Sequence, residues 1–192
     1  MDLILHQYPE SSFAEKIRLA LGLKGLAWHA VEIPAFEPKP DYTPLTAGYR
    51  RTPALQIGAD VYCDTRLIAE VLEQLAPAPS VYAPDPRTRA LGETLITWGE
   101  SQLMWPIARY ITGLNARAFS AEFHLDRARL HGKPAPSVEQ VVASAGRFLP
   151  QVAPQLAWLE DLLAPGQPFL LGAEPTLADF AVYAAPWRVR WG

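Results

Sequence analysis

Three hydroxyl side chains, Tyr8, Ser11 and Ser12, lie where a short apolar strand is predicted to turn into an amphipathic helix. The first turn of a helix carries unpaired N–H groups and a partial positive charge, which together favour an anion such as a thiolate or a carboxylate. Serine is also a preferred N-cap residue at any helix start. The segment therefore predicts either an anion-binding site or a structural cap.

The composition excludes several functional classes. The chain has 192 residues, of which 49% are apolar, and a net charge of −3, so it can bury a core and lacks the basic excess of a nucleic-acid-binding protein. No apolar run approaches the ~20 residues of a membrane span, and the N-terminus does not have the pattern of a signal peptide. We therefore expect a cytoplasmic protein with no nucleic-acid or membrane partner.

Cysteine and histidine usage argues against redox and metal chemistry. Cys63 is the single cysteine, which excludes an internal disulfide and a CxxC pair, and its apolar neighbours predict a small buried side chain. The four histidines do not show the spacing of metal ligands. We assign no metal.

The first 76 residues predict an α/β domain. Strand patterns at 3–8 and 27–33 flank a helical pattern at 13–23, which makes a βαβ unit with parallel strands. Two short strands, 54–57 and 61–63, meet at a turn and precede an amphipathic helix that runs to Leu75. The predicted order is βαβ followed by ββα.

The remainder of the chain predicts an all-α domain after a proline-rich linker. We place the boundaries at 1–76, 77–87 and 88–192. Helical patterns cover 88–111, 138–163 and 177–185, whereas 112–137 is the least periodic stretch and is predicted as loop with at most a short helix. Within the last helix, Thr176 and Asp179 have the spacing of a capping box, for which we expect a structural role.

Together these features resemble a cytosolic glutathione S-transferase, over nearly the whole chain. Such a protein has a thioredoxin-like domain, a Thr-Pro before its third strand, an acidic-hydroxyl pair opening its last helix, and a helical domain. The stretch Ser11–Leu21 is similar to the active-site helix of the omega and zeta classes. The family's catalytic Cys or Ser then falls at Ser11, with Ser12 and Tyr8 as alternatives.

The resemblance implies roles for further residues. In that family the serine hydroxyl donates a hydrogen bond to the glutathione thiol and lowers its pKa, so that the nucleophilic thiolate forms. A cis-proline turn holds the cysteinyl portion, and the acidic-hydroxyl pair binds the γ-glutamyl portion. The implied glutathione-binding residues are Phe13, Thr52, Pro53, Asp64 and Thr65, and Lys39, Arg50 and Arg51 are candidates for the glycyl carboxylate.

The sequence departs from the family pattern in two places. The link from Gly48 to Pro53 is longer than usual, and the helix that ends near Ala185 is followed by only seven residues, so the chain is either a short variant or truncated. Aromatic and apolar side chains on the first long helix either fill the core or line a cleft toward the thioredoxin-like domain. They are Trp98, Met104, Trp105 and Tyr110.

Two functions remain open at this point. The first is a glutathione transferase, a homodimer by resemblance, in which the thiolate of the co-substrate glutathione attacks a small hydrophobic electrophile; a zeta-like isomerase is a variant of it. The second is a non-catalytic binding or assembly module in which Ser11 is only a helix cap. A fold alone does not decide between them.

Overall fold

A four-stranded mixed sheet forms the first half of the protein, seen in a computed structural model that describes residues 2–163 and 166–191. The strands are β1 (Leu3–Gln7), β2 (His29–Glu32), β3 (Ala54–Ile57) and β4 (Asp60–Cys63). Their order across the sheet is β2-β1-β3-β4, with β1 and β2 parallel and the other pairs antiparallel. This confirms the predicted βαβ–ββα order.

Three helices accompany the sheet: α1 (Ser12–Leu23), α2 (Tyr42–Leu45) and α3 (Thr65–Leu75). Helix α1 supplies the crossover that a parallel β1–β2 pair requires. Side chains of α1 and α3 are fully buried against those of β1 and β3, in a core that includes Leu5, Ile17, Leu55, Ile68 and Leu72. Strand β2 differs from its predicted alternation, since all four of its residues are exposed at the sheet edge.

The second half is helical, as predicted. Its helices are α4 (Pro86–Trp98), α5 (Met104–Leu114), α6 (Ala121–Leu130), α7 (Val138–Ser144), α8 (Leu149–Leu163) and α9 (Leu177–Trp187). A π-helix, Gly99–Leu103, joins α4 to α5, and a 3-10 helix, Arg188–Trp191, follows α9. None of the helices in the described part of the chain is long and apolar enough to cross a membrane.

Two helical boundaries differ from the sequence prediction. The region 112–137 contains a ten-residue helix, α6, whose apolar spacing is weak because only a few of its side chains face the core. The pattern at 138–163 is divided by a 3-10 turn at Ala145–Arg147, and Pro154 lies inside α8. The capping box of α9 is present, since the Asp179 carboxylate accepts hydrogen bonds from both the N–H and the hydroxyl of Thr176.

The sheet and helical parts share one core. Ile96, Leu177 and Phe180 of the helical part are buried in the same cluster as the side chains of α1 and α3. The linker is held against this cluster, because Val81 is 1% exposed and its carbonyl accepts a hydrogen bond from the Leu177 N–H at 2.7 Å. Position and orientation of α1 are thus fixed by both halves of the protein.

Candidate functional site

The turn between β1 and α1 places Ser11 at the N-cap of the helix. Its Oγ accepts a hydrogen bond from the Ala14 N–H at 3.2 Å, and the residue is 3% exposed. The hydroxyl proton of Ser11 is not used in this bond, so it can still be donated to an anion. Ser12, one residue further, has a buried Oγ without a hydrogen-bond partner among the residues that the structure describes.

Tyr8 lies on the other side of the same turn. Its carbonyl accepts a hydrogen bond from the Ser11 N–H at 3.1 Å, and its side chain packs against the buried cluster of Ile33, Tyr42 and Ala54. The Lys39 ammonium lies 6.0 Å from the centre of the Tyr8 ring. Tyr8 therefore connects the start of α1 to the loop that carries Lys39.

Lys39 is a buried cation. It is 3% exposed, and its Nζ donates hydrogen bonds to the Arg50 carbonyl at 3.1 Å and to Thr52 Oγ1 at 3.2 Å. Burial, and after it the nearby Arg127 guanidinium, lowers the pKa of Lys39 to about 8. Lys39 is thus a charge held next to the Thr52-Pro53 turn.

The Thr52-Pro53 peptide bond is cis, as the family resemblance implied. Pro53 is buried, and β3 begins at the next residue, so the main chain of Thr52 lies at the end of a central strand. Phe13, on the first turn of α1, is half-buried.

Asp64 adopts a backbone conformation that is rare for a residue with a side chain. Its φ is 81° and its ψ is 128°, and its Oδ1 accepts a hydrogen bond from the Arg66 N–H at 2.8 Å as the N-cap of α3. Strained backbone at an N-cap is a frequent property of ligand sites. The carboxylate remains exposed to solvent.

Thr65 is buried, and its hydroxyl accepts a hydrogen bond from Lys16 Nζ at 3.0 Å. Lys16 is also 2.6 Å from Glu100 Oε1 on the π-helix. Burial lowers the pKa of Lys16, and the Glu100 carboxylate opposes that shift. The sequence analysis did not identify this pair, because its members are far apart in the chain.

Arg50 and Arg51, the two arginines that are candidates for the glycyl carboxylate, differ in their partners within the protein. Arg50 forms an ion pair with Asp126 of α6, and its Nε is 3.9 Å from Glu37 Oε1, so its charge is already matched within the protein. Arg51 is exposed. Of the residues considered for the glycyl carboxylate, Lys39 and Arg51 keep a charge without a carboxylate partner within 4.0 Å in the described part of the chain.

Helix α6 holds the loop that carries Lys39. Arg127 donates a hydrogen bond to the Ala35 carbonyl at 2.7 Å, and the Glu37 N–H donates to Asp126 Oδ1 at 3.3 Å. The rings of Phe36 and Phe123 meet edge to face at 6.0 Å. A helix that the sequence pattern did not clearly indicate therefore positions one wall of the site.

The aromatic residues of the first long helix divide between core and surface. Trp98, Met104 and Tyr110 pack in the second hydrophobic cluster of the helical part. Trp105 is 44% exposed and lines a cavity of about 340 Å³, with its ring edge to face with His131 at 4.8 Å. Three of these four side chains thus belong to the core.

Cys63 lacks the full burial that its apolar neighbours predicted. Cys63 is half-buried, and burial together with the adjacent Asp64 raises the pKa of its thiol. Within residues 2–163 and 166–191 no group of three or more His, Cys, Asp or Glu side chains is arranged to hold a metal ion. A protein without a metal remains a prediction.

The fold and the arrangement at the start of α1 define a thioredoxin-like domain followed by a helical domain. The family model described as "Glutathione S-transferase, N-terminal domain" matches residues 5–80, and the one described as "Glutathione S-transferase, C-terminal domain" matches residues 122–190. The chain belongs to the glutathione S-transferase family.

Several relatives share this fold. A GST-like protein from Pseudomonas syringae is 39% identical with a TM-score of 0.67, and the match covers 100% of this chain and 58% of that chain. FzlA from C. crescentus is 25% identical with a TM-score of 0.75, covering 98% and 78%. A glutathione S-transferase from Rhodospirillum rubrum F11, at 23% identity and a TM-score of 0.73 over 97% and 77%, shows the fold alone.

A shorter match comes from a curated protein. "FtsZ-localized protein A" of Caulobacter vibrioides is 29% identical over 97 residues, which is 49% of this chain and 42% of that protein. The match therefore spans less than half of that relative, and the chain spans 58% of the Pseudomonas protein.

Proposed function

We propose that this protein binds glutathione at the start of α1 and activates its thiol with the Ser11 hydroxyl. The observation that carries the proposal is the position of Ser11 as N-cap of α1, with its hydroxyl proton free for donation. A thiolate there gains a hydrogen bond and the partial positive charge of the helix N-terminus. Ser12 is the weaker candidate, because it is one residue further along the helix and faces a different direction, and Tyr8 lies before the turn.

Glutathione would be held by the residues around this turn. Lys39 or Arg51 would pair with the glycyl carboxylate, and the main chain of Thr52, before the cis Pro53, would bind the cysteinyl portion. Asp64 would receive the α-ammonium group of the γ-glutamyl portion, while Thr65 and the first N–H groups of α3 would receive its carboxylate. Phe13 would contact the peptide from the first turn of α1.

The proposed reaction is a substitution by the bound thiolate. Sulfur of glutathione forms a bond to the electrophilic carbon of a small apolar second substrate, and the leaving group departs with the electron pair. Ser11 returns its hydrogen bond to solvent or product after the sulfur has lost its negative charge. Holding both reactants together supplies the remainder of the rate gain. We further propose a serine-type, omega- or zeta-like enzyme that acts as a cytoplasmic homodimer.

A non-catalytic binding or assembly module is the second candidate. It is favoured by the burial of Ser11, whose Oγ is already committed as acceptor to the Ala14 N–H. It is also favoured by the similarity to a protein named for its localisation with FtsZ, a name that describes placement in the cell and not a transfer reaction. In this case Ser11 acts only as a helix cap.

Calorimetric titration with reduced glutathione separates the two candidates. We expect binding by the intact protein, loss of binding in Asp64→Ala, and retained binding in Ser11→Ala and Ser11→Gly. The pKa of the bound thiol, followed by its ultraviolet absorbance, should be lowered only when Ser11 is present. Ser11→Gly is the matched control for the cap, because glycine replaces serine at an N-cap at a cost of only a few tenths of a kcal/mol. Absence of binding would favour the module.

A further inference from the structure

Arg188 is a half-buried cation whose guanidinium forms no ion pair with the residues that the structure describes. It begins the 3-10 helix after α9, and its Nε is shielded from solvent without a hydrogen bond in the described part of the chain. No carboxylate of the described residues lies within 4.0 Å of its guanidinium. Burial of an unpaired charge is unfavourable, so a guanidinium that persists in this state is a candidate for pairing with a ligand.

The side chain lies close to the Ser11 turn. Burial lowers the pKa of Arg188, while Tyr8 raises it and Arg127 lowers it, so both groups are near enough to interact with its charge. The end of α9 is also fixed against α1, because the Arg18 guanidinium lies over the Trp187 ring at 5.6 Å. The same Arg18 guanidinium donates a hydrogen bond to the Pro9 carbonyl at 3.1 Å, so Arg188, the residue after Trp187, lies near the turn that holds Ser11.

Other cations near Tyr8 already have partners. Lys39 donates to the Arg50 carbonyl and to Thr52 Oγ1, and Arg127 donates to the Ala35 carbonyl. Carboxylates of the same region, Glu37 and Asp126, are paired with Arg50. The Arg188 Nε, in contrast, has no hydrogen bond within the described residues, so pairing with an incoming anion breaks none. The Arg188 residue as a whole is only half-buried, so a ligand can reach its guanidinium.

We propose that Arg188 recognises a carboxylate on the second substrate of the Ser11 site, so that the preferred electrophile is an acid. The proposal rests on the proposed function. A guanidinium presents two parallel N–H donors that match the two oxygens of a carboxylate, which fixes both the affinity and the orientation of the substrate. With the acid end held at Arg188, the electrophilic carbon of the substrate is directed toward the thiolate at Ser11.

Two electrophiles, one with a carboxylate and one with that group esterified, test this assignment through the change that each variant causes for each substrate: 4-chloro-3-nitrobenzoate and its methyl ester. In both, glutathione sulfur bonds to the carbon that carries chlorine, and chloride leaves. We expect Arg188→Met to lower kcat/KM for the acid by about 10- to 100-fold, the range that a charge-assisted hydrogen bond provides, and to leave that for the ester within twofold. Arg188→Lys should recover part of the loss.

Arg190→Met is the matched control, since Arg190 lies exposed in the same 3-10 helix and should affect neither substrate. An equal loss for acid and ester in Arg188→Met, or a weaker affinity for glutathione, would overturn the proposal. Thermal unfolding of each variant identifies a loss caused by misfolding.

A failure of the proposed transferase function can be distinguished from a failure of the proposed anion site at Arg188. If the intact protein conjugates neither compound, the transferase function fails, and titration with 3-nitrobenzoate then tests the anion site alone. Binding of that acid, lost in Arg188→Met and kept in Arg190→Met, would support the site without catalysis; absence of binding would overturn it.

Discussion

Lys16 Nζ lies 2.6 Å from Glu100 Oε1, so a lysine of α1 is paired with a carboxylate of the π-helix in the helical part. The Lys16 side chain is 1% exposed, whereas that of Glu100 is 19% exposed. Lys16 also donates to the Thr65 hydroxyl at 3.0 Å. One buried cation therefore joins the first helix, the start of α3 and the helical domain.

We expect Glu100→Gln to destabilise the protein by about 3 kcal/mol, because it leaves a buried ammonium without its counter-charge. Lys16→Met should cost less, about 1 kcal/mol, since the Glu100 carboxylate keeps access to water. Urea unfolding measures both free energies. Glu93→Gln, at the exposed ion pair with Arg66, is the control and should change stability by less than about 0.5 kcal/mol. Equal losses of unfolding free energy in Glu100→Gln and Lys16→Met would contradict the expected difference between them.

We expect protein stability and glutathione affinity to place opposite demands on the residue at position 64. Its φ of 81° suits glycine, so Asp64→Gly should raise the free energy of unfolding by about 1 kcal/mol. Asp64→Ala should lower it, because alanine keeps the strain and loses the cap on the Arg66 N–H. Both variants should lose glutathione affinity. Chemical denaturation and calorimetry of the three proteins check this, and an Asp64→Gly variant less stable than the intact protein would be evidence against backbone strain.

Local signals made part of the site predictable. The N-cap at Ser11, the Thr52-Pro53 dipeptide and the Asp64-Thr65 pair each depend on residues adjacent in the chain, and each was found at the start of an element. The same holds for the capping box of Thr176 and Asp179. Such features depend on a few consecutive residues, so a single sequence is enough to identify them.

Long-range features could not be obtained in this way. The Lys16–Glu100 pair joins residues 84 positions apart. Arg50, a candidate for the glycyl carboxylate, is paired with Asp126, which is also distant in the chain. The bounds of helix α6, which the sequence allowed only as a short helix within 112–137, could not be assigned because much of its burial is that of polar residues, such as His124 and Asp126, that have partners inside the protein. Tyr183, on α9, is 43% exposed although Leu177 and Phe180 of the same helix are buried. The spacing of apolar residues along the sequence does not indicate these contacts.

Close packing at Gly113 gives a prediction for the helical domain. A Cβ on Gly113 would lie 2.5 Å from the Ala145 Cβ and 3.1 Å from the Val141 carbonyl oxygen, so α5 and α7 would have to separate. Gly113→Ala should therefore destabilise the protein by about 2 kcal/mol. Gly22→Ala, at a helical position where the new Cβ meets nothing within 4 Å among the described residues apart from its own helix backbone, should stabilise it by about 0.5 kcal/mol. Thermal unfolding measures both changes.

Removing the facing methyl group tests the cause. Ala145→Gly in the Gly113→Ala background should recover at least half of the lost stability, because the closest contact of the new Cβ is with Ala145. A double variant no more stable than Gly113→Ala alone would show that the loss has another origin.

Lys39 should make ligand binding depend on pH. Burial lowers its pKa to about 8, so it is a cation below that pH and neutral above it. A carboxylate pairs only with the cation. Affinity for glutathione should therefore fall as pH rises through about 8, and by about tenfold between pH 7 and pH 9 if the neutral form contributes little.

Titration with S-methylglutathione measures this dependence, because the ligand has no thiol to ionise. Its α-amino group titrates identically with every variant, so the difference between variants isolates Lys39. Lys39→Arg keeps its charge over the whole range and should show a shallower slope, whereas Lys39→Met should bind weakly at both pH values. A Lys39→Met variant with the slope and affinity of the intact protein would remove Lys39 from the carboxylate site and leave Arg51 as the candidate.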